Sequence, residues 1–120
     1  MTKIKENSTT NQNKEFAALK CPVTYVMNKI GGHWKSIIIY QMINGPMRYS
    51  ELKRAIPVIT EKMLIQSLKQ LEADNLVIRK AERVVPPFVT YFLSSSGKEL
   101  IPLMHAMAEW AVQDSNRQES

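Results

Sequence analysis

A chain of 120 residues, 44% of them hydrophobic, is long enough for one domain with a single core. Its uninterrupted apolar runs, such as IIIY, are far shorter than the roughly 18 residues of a membrane span, and the opening MTKIKENSTTNQNK lacks the apolar centre of a signal peptide. We therefore expect a cytoplasmic protein with no membrane partner. Its single cysteine excludes a disulfide within the chain.

The formal net charge of +5 is unevenly distributed along the chain. Residues 29–83 hold ten Lys or Arg and five Asp or Glu, whereas residues 84–120 hold two and four. A localised basic surface attracts polyanions and accelerates their capture. Ribosomal, RNA-binding and membrane-surface proteins share this property, so charge alone does not select a function.

The amino-terminal third begins without periodicity. Residues 1–13 are polar and predict a disordered arm, and residues 14–20 predict a short helical turn. Pro22 then occupies a position that tolerates proline in the first turn of a helix, and Gly31-Gly32 stops that helix. One side of it carries Val23, Val26, Met27 and Ile30.

Two further helices and a short strand are predicted next. Residues 33–44 are apolar nearly all round, which predicts the central buried helix, and Gly45-Pro46 ends it. Residues 47–49 predict an edge strand. Ser50 is the predicted cap of a small helix at residues 51–55, which Pro57 terminates.

The helix predicted at about residues 60–75 has two opposed faces. Thr60 is its predicted cap, and Asn75 can adopt the left-handed conformation at its exit. Projected at about 100° per residue, one face carries Leu64, Leu68 and Leu71, and the other carries Lys62, Gln66 and Lys69. Such a helix suits the DNA major groove when it is second in a helix-turn-helix, although an exposed Lys/Gln face is also what any solvated helix has.

A hairpin and a last helix complete the chain. Residues 77–83 and 88–93 predict two strands, and alternation places Arg79 and Arg83 on one face with Lys80 on the other. A helix is predicted at about residues 97–114, followed by a flexible tail at 115–120. Its apolar residues recur at three- and four-residue steps and are either core or dimer surface: Leu100, Leu103, Met104, Met107, Trp110 and Ala111.

This order of elements is that of a winged helix-turn-helix domain. The predicted fold class is mainly α with a small β-hairpin (α+β). The domain covers residues 14–114, the wing lies at about 77–93, and dimerisation helices flank it at the amino- and carboxyl-terminal ends.

Several motifs occur in the order found in one family. They comprise a Cys-Pro pair, Gly-Gly-x-Trp, GPMRYSEL, an Ile-x-x-Lys-Met-Leu helix start, VVPPFVTY and SSSGKEL. Over about residues 20–112 the chain resembles HxlR-type transcriptional regulators. The resemblance implies a bacterial transcriptional regulator that binds double-stranded, palindromic operator DNA as a homodimer. Members often carry a basic residue at the position of Phe88, so the wing tip of this chain is expected to contact DNA differently.

The resemblance also implies roles for individual residues. The candidate DNA-binding residues, for which the alternative is a solvated charge or a simple cap, are Arg48, Ser50, Thr60, Lys62, Gln66, Lys69, Lys80 and Arg83. The candidate dimer-interface residues are Val26, Leu100, Leu103, Met104, Met107 and Trp110.

Cys21 is a candidate sensor of oxidants or electrophiles. Some family members sense them through a cysteine at this matching position. Cys21 immediately precedes Pro22, where the unpaired N–H groups and the dipole of a helix start favour a thiolate, and Lys20 adds a cation. The alternative is an inert, buried thiol.

No catalytic constellation, cofactor motif or metal-ligand spacing is visible, so we expect neither an enzyme nor a cofactor. His33 and His105 stand apart from each other and from Cys21. The alternative function is a winged helix that binds another protein. Such a module would more readily carry an acidic or apolar face than the basic face of Lys62 and Lys69.

Overall fold

The computed structural model describes residues 21–119. The chain divides into two compact units, Met1–His33 and Trp34–Ser120. The arm predicted at residues 1–13 and the helical turn predicted at 14–20 lie outside the described residues.

Helix α1, Pro22–Ile30, is the described helix of the first unit. It begins with proline in its first turn and ends at Gly31, whose N–H donates to the carbonyl of Met27 at 2.8 Å. Ile30 is buried and Val26 is half-buried, whereas Val23 is 67% exposed. The predicted start and end of this helix are confirmed, but two of the four residues on its apolar side, Val23 and Met27, are exposed.

The second unit is mainly helical and has one small antiparallel sheet, which confirms the predicted fold class. Its elements, in chain order, are α2 (Lys35–Gln41), β1 (Met47–Arg48), α3 (Tyr49–Ala55), α4 (Glu61–Ala73), β2 (Val77–Glu82), β3 (Phe88–Leu93), α5 (Ser95–Lys98) and α6 (Ile101–Glu119).

Helix α2 lies at the centre of the second unit and contacts α3, α4 and α6. Ile38 and Ile39 have no exposed surface, as expected of a central buried helix. The helix is shorter than the predicted range of residues 33–44. At its end the N–H of Met42 donates to the carbonyl of Ile39 at 3.0 Å, a three-residue step that tightens the chain into turns before Gly45.

The sheet has the strand order β1-β3-β2 and is antiparallel throughout. Val77 faces Leu93, and both are buried on the side of the sheet that closes the core. Strand β1 is an edge strand, as predicted, although it contains only Met47 and Arg48 because Tyr49 already belongs to α3.

Ser50 does not cap α3, so this prediction is wrong. The helix begins one residue earlier than the predicted cap, with Arg48 as the capping residue in an extended conformation (φ −75°, ψ 157°). Oε1 of Glu51 accepts the backbone N–H of Arg48 at 2.7 Å. This carboxylate therefore stabilises the helix start, and Ser50 lies exposed in the first turn.

The carboxyl-terminal region contains two helices rather than the predicted single helix at 97–114. The hydroxyl of Ser94 caps α5, and the N–H of Leu100 donates to the carbonyl of Gly97 at 3.0 Å, which ends α5 in a tight turn. Pro102 has no N–H to continue α5 but fits the first turn of a new helix. Helix α6 then continues to Glu119, through most of the predicted tail.

Candidate nucleic-acid interface

Helix α4 has one buried and one exposed face. Leu64, Leu68 and Leu71 are at most 1% exposed and belong to the core. The side chains of Lys62, Gln66 and Lys69 are exposed on the opposite side. The predicted separation of the two faces is therefore confirmed. The helix presents two cations and one amide to its surroundings.

The exposed face of α4 also contains an apolar side chain that was not among the predicted site residues. Ile65 is 43% exposed and stands beside the polar residues. Helical periodicity alone could have placed it there, since it is three residues from Lys62 and four from Lys69. One open surface runs along this face and is lined by Lys62, Ile65, Gln66, Lys69, Gln70 and Ala73.

Both ends of α4 are fixed by hydrogen bonds. At the start, Oγ1 of Thr60 accepts the N–H of Met63 at 3.1 Å, so the predicted cap is confirmed. At the exit, Asn75 has a φ of 59° and the N–H of Leu76 donates to the carbonyl of Leu71 at 2.9 Å. This left-handed exit was also predicted. The Ser94 hydroxyl donates to the Asn75 carbonyl at 2.6 Å, which ties the exit of α4 to the end of β3.

The start of the helix-turn-helix contacts the hairpin through Arg48. Its guanidinium carbon lies 3.8 Å from the centre of the Phe88 ring. Arg48 pairs with Thr90 across β1 and β3, and Phe88 is two residues from Thr90 on the same strand, so the two side chains share one face of the sheet. Both residues stand out in the sequence, but their contact depends on the pairing of β1 with β3.

The basic residues of the hairpin are not brought to one place. Lys80 pairs with Thr90 from the other side of β3 and so shares the face of Arg48, but its Nζ also lies 3.4 Å from Oε2 of Glu82. Arg79 pairs with Tyr91 on the opposite face. Arg83 follows the end of β2 and is exposed at the hairpin tip.

The chain matches one protein-family model over most of its length. The model of the HxlR-like helix-turn-helix family matches residues 29–119. The chain belongs to the HxlR-like family. The resemblance inferred from the motifs is therefore confirmed, and the domain is that of a family of helix-turn-helix transcriptional regulators.

Individual relatives of this HxlR-like chain are regulators rather than enzymes. It is 44% identical over 97 residues to the HTH-type transcriptional regulator YybR of Bacillus subtilis, covering 81% of this chain and 76% of YybR. It is similar to the structure of the redox regulator HypR in its oxidised form, with 43% identity, a TM-score of 0.74 and coverage of 78% and 96% of the two chains. The reduced form of the transcriptional regulator YodB from B. subtilis has 34% identity, a TM-score of 0.68 and coverage of 78% and 92%.

Helix α6 of the HxlR-like domain carries an exposed apolar stripe. Leu103, Met107 and Trp110 are 37%, 39% and 62% exposed and lie within about 60° of one another around the helix. Met104 is 2% exposed because it points about a quarter turn away, into the core of its own protomer. This burial favours the core alternative for Met104 over a place on the dimer surface. Leu100 is half-buried in the turn before α6 rather than on the predicted helical stripe.

Cys21 is exposed at the start of α1. Hydrogen bonds from the hydroxyl and then from the backbone N–H of Thr24 hold the pKa of the Cys21 thiol below its ordinary value. Desolvation opposes them, and the Val23 N–H adds the smallest lowering effect. The thiol does not form a regular side-chain cap. The exposed position contradicts the alternative of a buried, inert thiol.

Between residues 21 and 119, no group of three or more His, Cys, Asp or Glu side chains is placed to hold a metal ion. Within the same range, no helix is both long and apolar enough to cross a membrane.

Proposed function

We propose that this HxlR-like protein regulates transcription by binding double-stranded operator DNA as a homodimer, with α4 in the major groove. The observation that carries the proposal is the exposed Lys62, Gln66 and Lys69 face of α4, directly opposite a fully buried leucine face. Burial fixes which side of the helix is turned outward. A capped helix in the second position of a helix-turn-helix has the geometry for groove entry.

The proposed contacts divide into base reading and phosphate binding. Gln66 can pair bidentately with adenine, whereas the two lysines of α4 serve guanine or phosphate. Thr60 uses its hydroxyl oxygen as the α4 cap, so its hydroxyl proton remains available to a phosphate. Phosphate contacts from outside α4 are assigned to Arg48, Ser50, Lys80 and Arg83.

Fluorescence anisotropy with the DNA upstream of the protein's own gene tests these contacts. Gln66→Ala should relax preference at one or two operator positions. Arg83→Ala should weaken binding to all sequences. It should also reduce, by about one, the slope of the logarithm of the binding constant against the logarithm of the salt concentration. Lys98→Ala, which removes an exposed cation on α5, is the control and should change neither property. Unchanged specificity in Gln66→Ala would contradict the proposed orientation of α4 in the groove.

The homodimer is assigned to the stripe of Leu103, Met107 and Trp110 on α6. Contiguous exposed apolar side chains mark interaction surfaces, and a two-fold symmetric dimer uses the same patch on both protomers. Val26 of α1 is half-buried and remains a candidate dimer-interface residue in its own right. Two-fold symmetry of the protein corresponds to a palindromic operator.

We also propose that modification of Cys21 controls DNA binding. Its exposure and lowered thiol pKa favour the reactive thiolate, and two of the similar structures are described as a redox regulator and as a diamide-treated regulator. Oxidation by diamide would join the Cys21 thiols of two protomers in a disulfide, and the reagent would take up the two hydrogens. An electrophile such as a quinone would instead form an S–C bond to the thiolate.

Operator binding by the wild type and by Cys21→Ser, before and after diamide, tests this control. The wild type should release DNA and recover it with dithiothreitol, while the serine variant should be insensitive. Equal behaviour of the two proteins would refute sensing by Cys21. DNA binding itself would remain established by the untreated samples.

A further inference from the structure

We propose that Phe88 is a positioning residue for Arg48, and that the stacked pair holds the Arg48 guanidinium ready for one DNA phosphate between the helix-turn-helix and the wing. This inference rests on the proposed DNA binding. It concerns a residue that carries no charge and was not assigned a contact with DNA.

The short distance within the pair favours a guanidinium that lies flat against the ring. Its central carbon lies 3.8 Å from the centre of the Phe88 ring, a distance of direct contact. The N–H donors of arginine lie in the plane of the guanidinium and point outward from its edge. Stacking therefore uses the face of the group and leaves its donors available for a phosphate.

The backbone around Arg48 is also fixed. Arg48 pairs with Thr90 of β3, and its backbone N–H donates to the carboxylate of Glu51. Within residues 21–119, no carboxylate forms an ion pair with its guanidinium, and the residue is exposed. Lys80, on the same sheet face, lies instead 3.4 Å from a carboxylate oxygen of Glu82. Of these two cations, Arg48 is the one that contacts an aromatic ring and, among residues 21–119, has no ion pair.

Restricting the Arg48 side chain before DNA binds increases the affinity for the phosphate. A free arginine side chain loses rotational freedom when it contacts a phosphate, and this loss opposes binding. The Phe88 ring restricts that freedom in the unbound protein. Because β1 joins α3 to β3, the same contact also sets the position of the charge relative to both α3 and the wing.

The test is a double-mutant cycle of DNA affinity in the full chain, measured at several salt concentrations. Arg48→Ala should weaken binding and lower the salt slope by about one unit. Phe88→Leu should weaken binding by about two- to fivefold. Phe88→Tyr keeps the aromatic face and should retain wild-type affinity.

The decisive variant combines the two changes. If Phe88 acts through Arg48, the double variant should bind as Arg48→Ala does, with no further loss. Equal losses from Phe88→Leu in both backgrounds would show that Phe88 acts on its own and would overturn the inference. Thermal unfolding of each variant separates loss of contact from loss of fold. The inference also requires that Phe88→Tyr retain wild-type affinity. Absence of DNA binding by the wild type would overturn the proposed function and this inference together, whereas additive losses would overturn the inference alone.

Discussion

Two side chains show how strongly position controls the chemistry of single residues. The Tyr49 hydroxyl is buried and has no hydrogen-bond partner among the described residues. Burial, followed by the negative charge of Glu61 and the neighbouring Tyr91, raises the pKa of this phenol. Cys21 is exposed, and hydrogen bonding from Thr24 lowers its pKa. Each shift leads to a measurable consequence.

Tyr49→Phe should leave stability unchanged at neutral pH or increase it by up to about 1 kcal/mol, because it removes a buried polar group that has no partner. The raised pKa makes the folded state bind the phenol proton more tightly than the unfolded state does. Tyr49 therefore contributes stability below the unfolded pKa that is lost as pH rises through the folded pKa, and the variant should lack this alkaline loss. Urea unfolding at neutral and alkaline pH measures both effects. Tyr40→Phe, at an exposed tyrosine, is the control, and a marked destabilisation by Tyr49→Phe would reveal a hydrogen bond to its hydroxyl.

Thr24→Val should make Cys21 less reactive near neutral pH. Loss of the hydroxyl donor destabilises the thiolate, so the pKa of Cys21 should rise and the midpoint of its alkylation rate should move to higher pH. The rate of reaction with iodoacetamide across a pH series measures the shift. Thr90→Val, on β3, should leave the profile as in the wild type. An unchanged profile in Thr24→Val would assign the lowered pKa to the helix start rather than to the hydroxyl.

At the scale of elements, α4 depends on a short polar connection at its exit. Ser94 is 5% exposed, donates its hydroxyl proton to the Asn75 carbonyl and accepts the N–H of Gly97. A Cβ atom on Gly97 would overlap the backbone carbonyl oxygen of Leu76. The end of α4, the end of β3 and the start of α5 are therefore held together at one point.

Ser94→Ala should destabilise the protein by about 1–3 kcal/mol, because it leaves the part-buried Asn75 carbonyl and the buried Gly97 N–H without their partner. Ser95→Ala, at the exposed neighbouring serine, should cost little. Urea unfolding at equilibrium compares the two substitutions. Equal stability of both variants would show that water replaces the Ser94 hydroxyl without cost.

At the scale of the whole molecule, the exposed stripe of α6 is the surface to which we assign the proposed dimer. Two-fold association through Leu103, Met107 and Trp110 would bury it. The two α4 helices of such a dimer should lie about 34 Å apart, or near a multiple of that distance, to enter successive major grooves.

Trp110→Glu should dissociate the dimer, since it places a charge in an apolar interface. Val112→Glu is a matched control because Val112 is 61% exposed, against 62% for Trp110, and lies on the other side of α6. Sedimentation at micromolar concentration should give twice 13.8 kDa for the wild type and the control, and 13.8 kDa for Trp110→Glu. A monomeric wild type would contradict both the dimer and the palindromic operator.

Much of this protein was determined by its sequence alone. The opposed faces of α4, its cap at Thr60 and its exit at Asn75 follow from helical periodicity and local backbone preferences, which act within a few residues. The order of elements and the motifs were sufficient for the winged helix-turn-helix and for the family. Pro102 also carried the signal for the break between α5 and α6, but helical periodicity masked it.

Only the tertiary structure decided which apolar residues of α6 are core and which are exposed. Periodicity treats Met104 and Met107 alike, and the packing of α6 against α2 buries the first and leaves the second on the surface. The stack of Arg48 on Phe88 likewise needed the register of β1 against β3, which joins residues forty positions apart. Local sequence specifies the conformation of each segment, but contacts between segments depend on how the whole core packs.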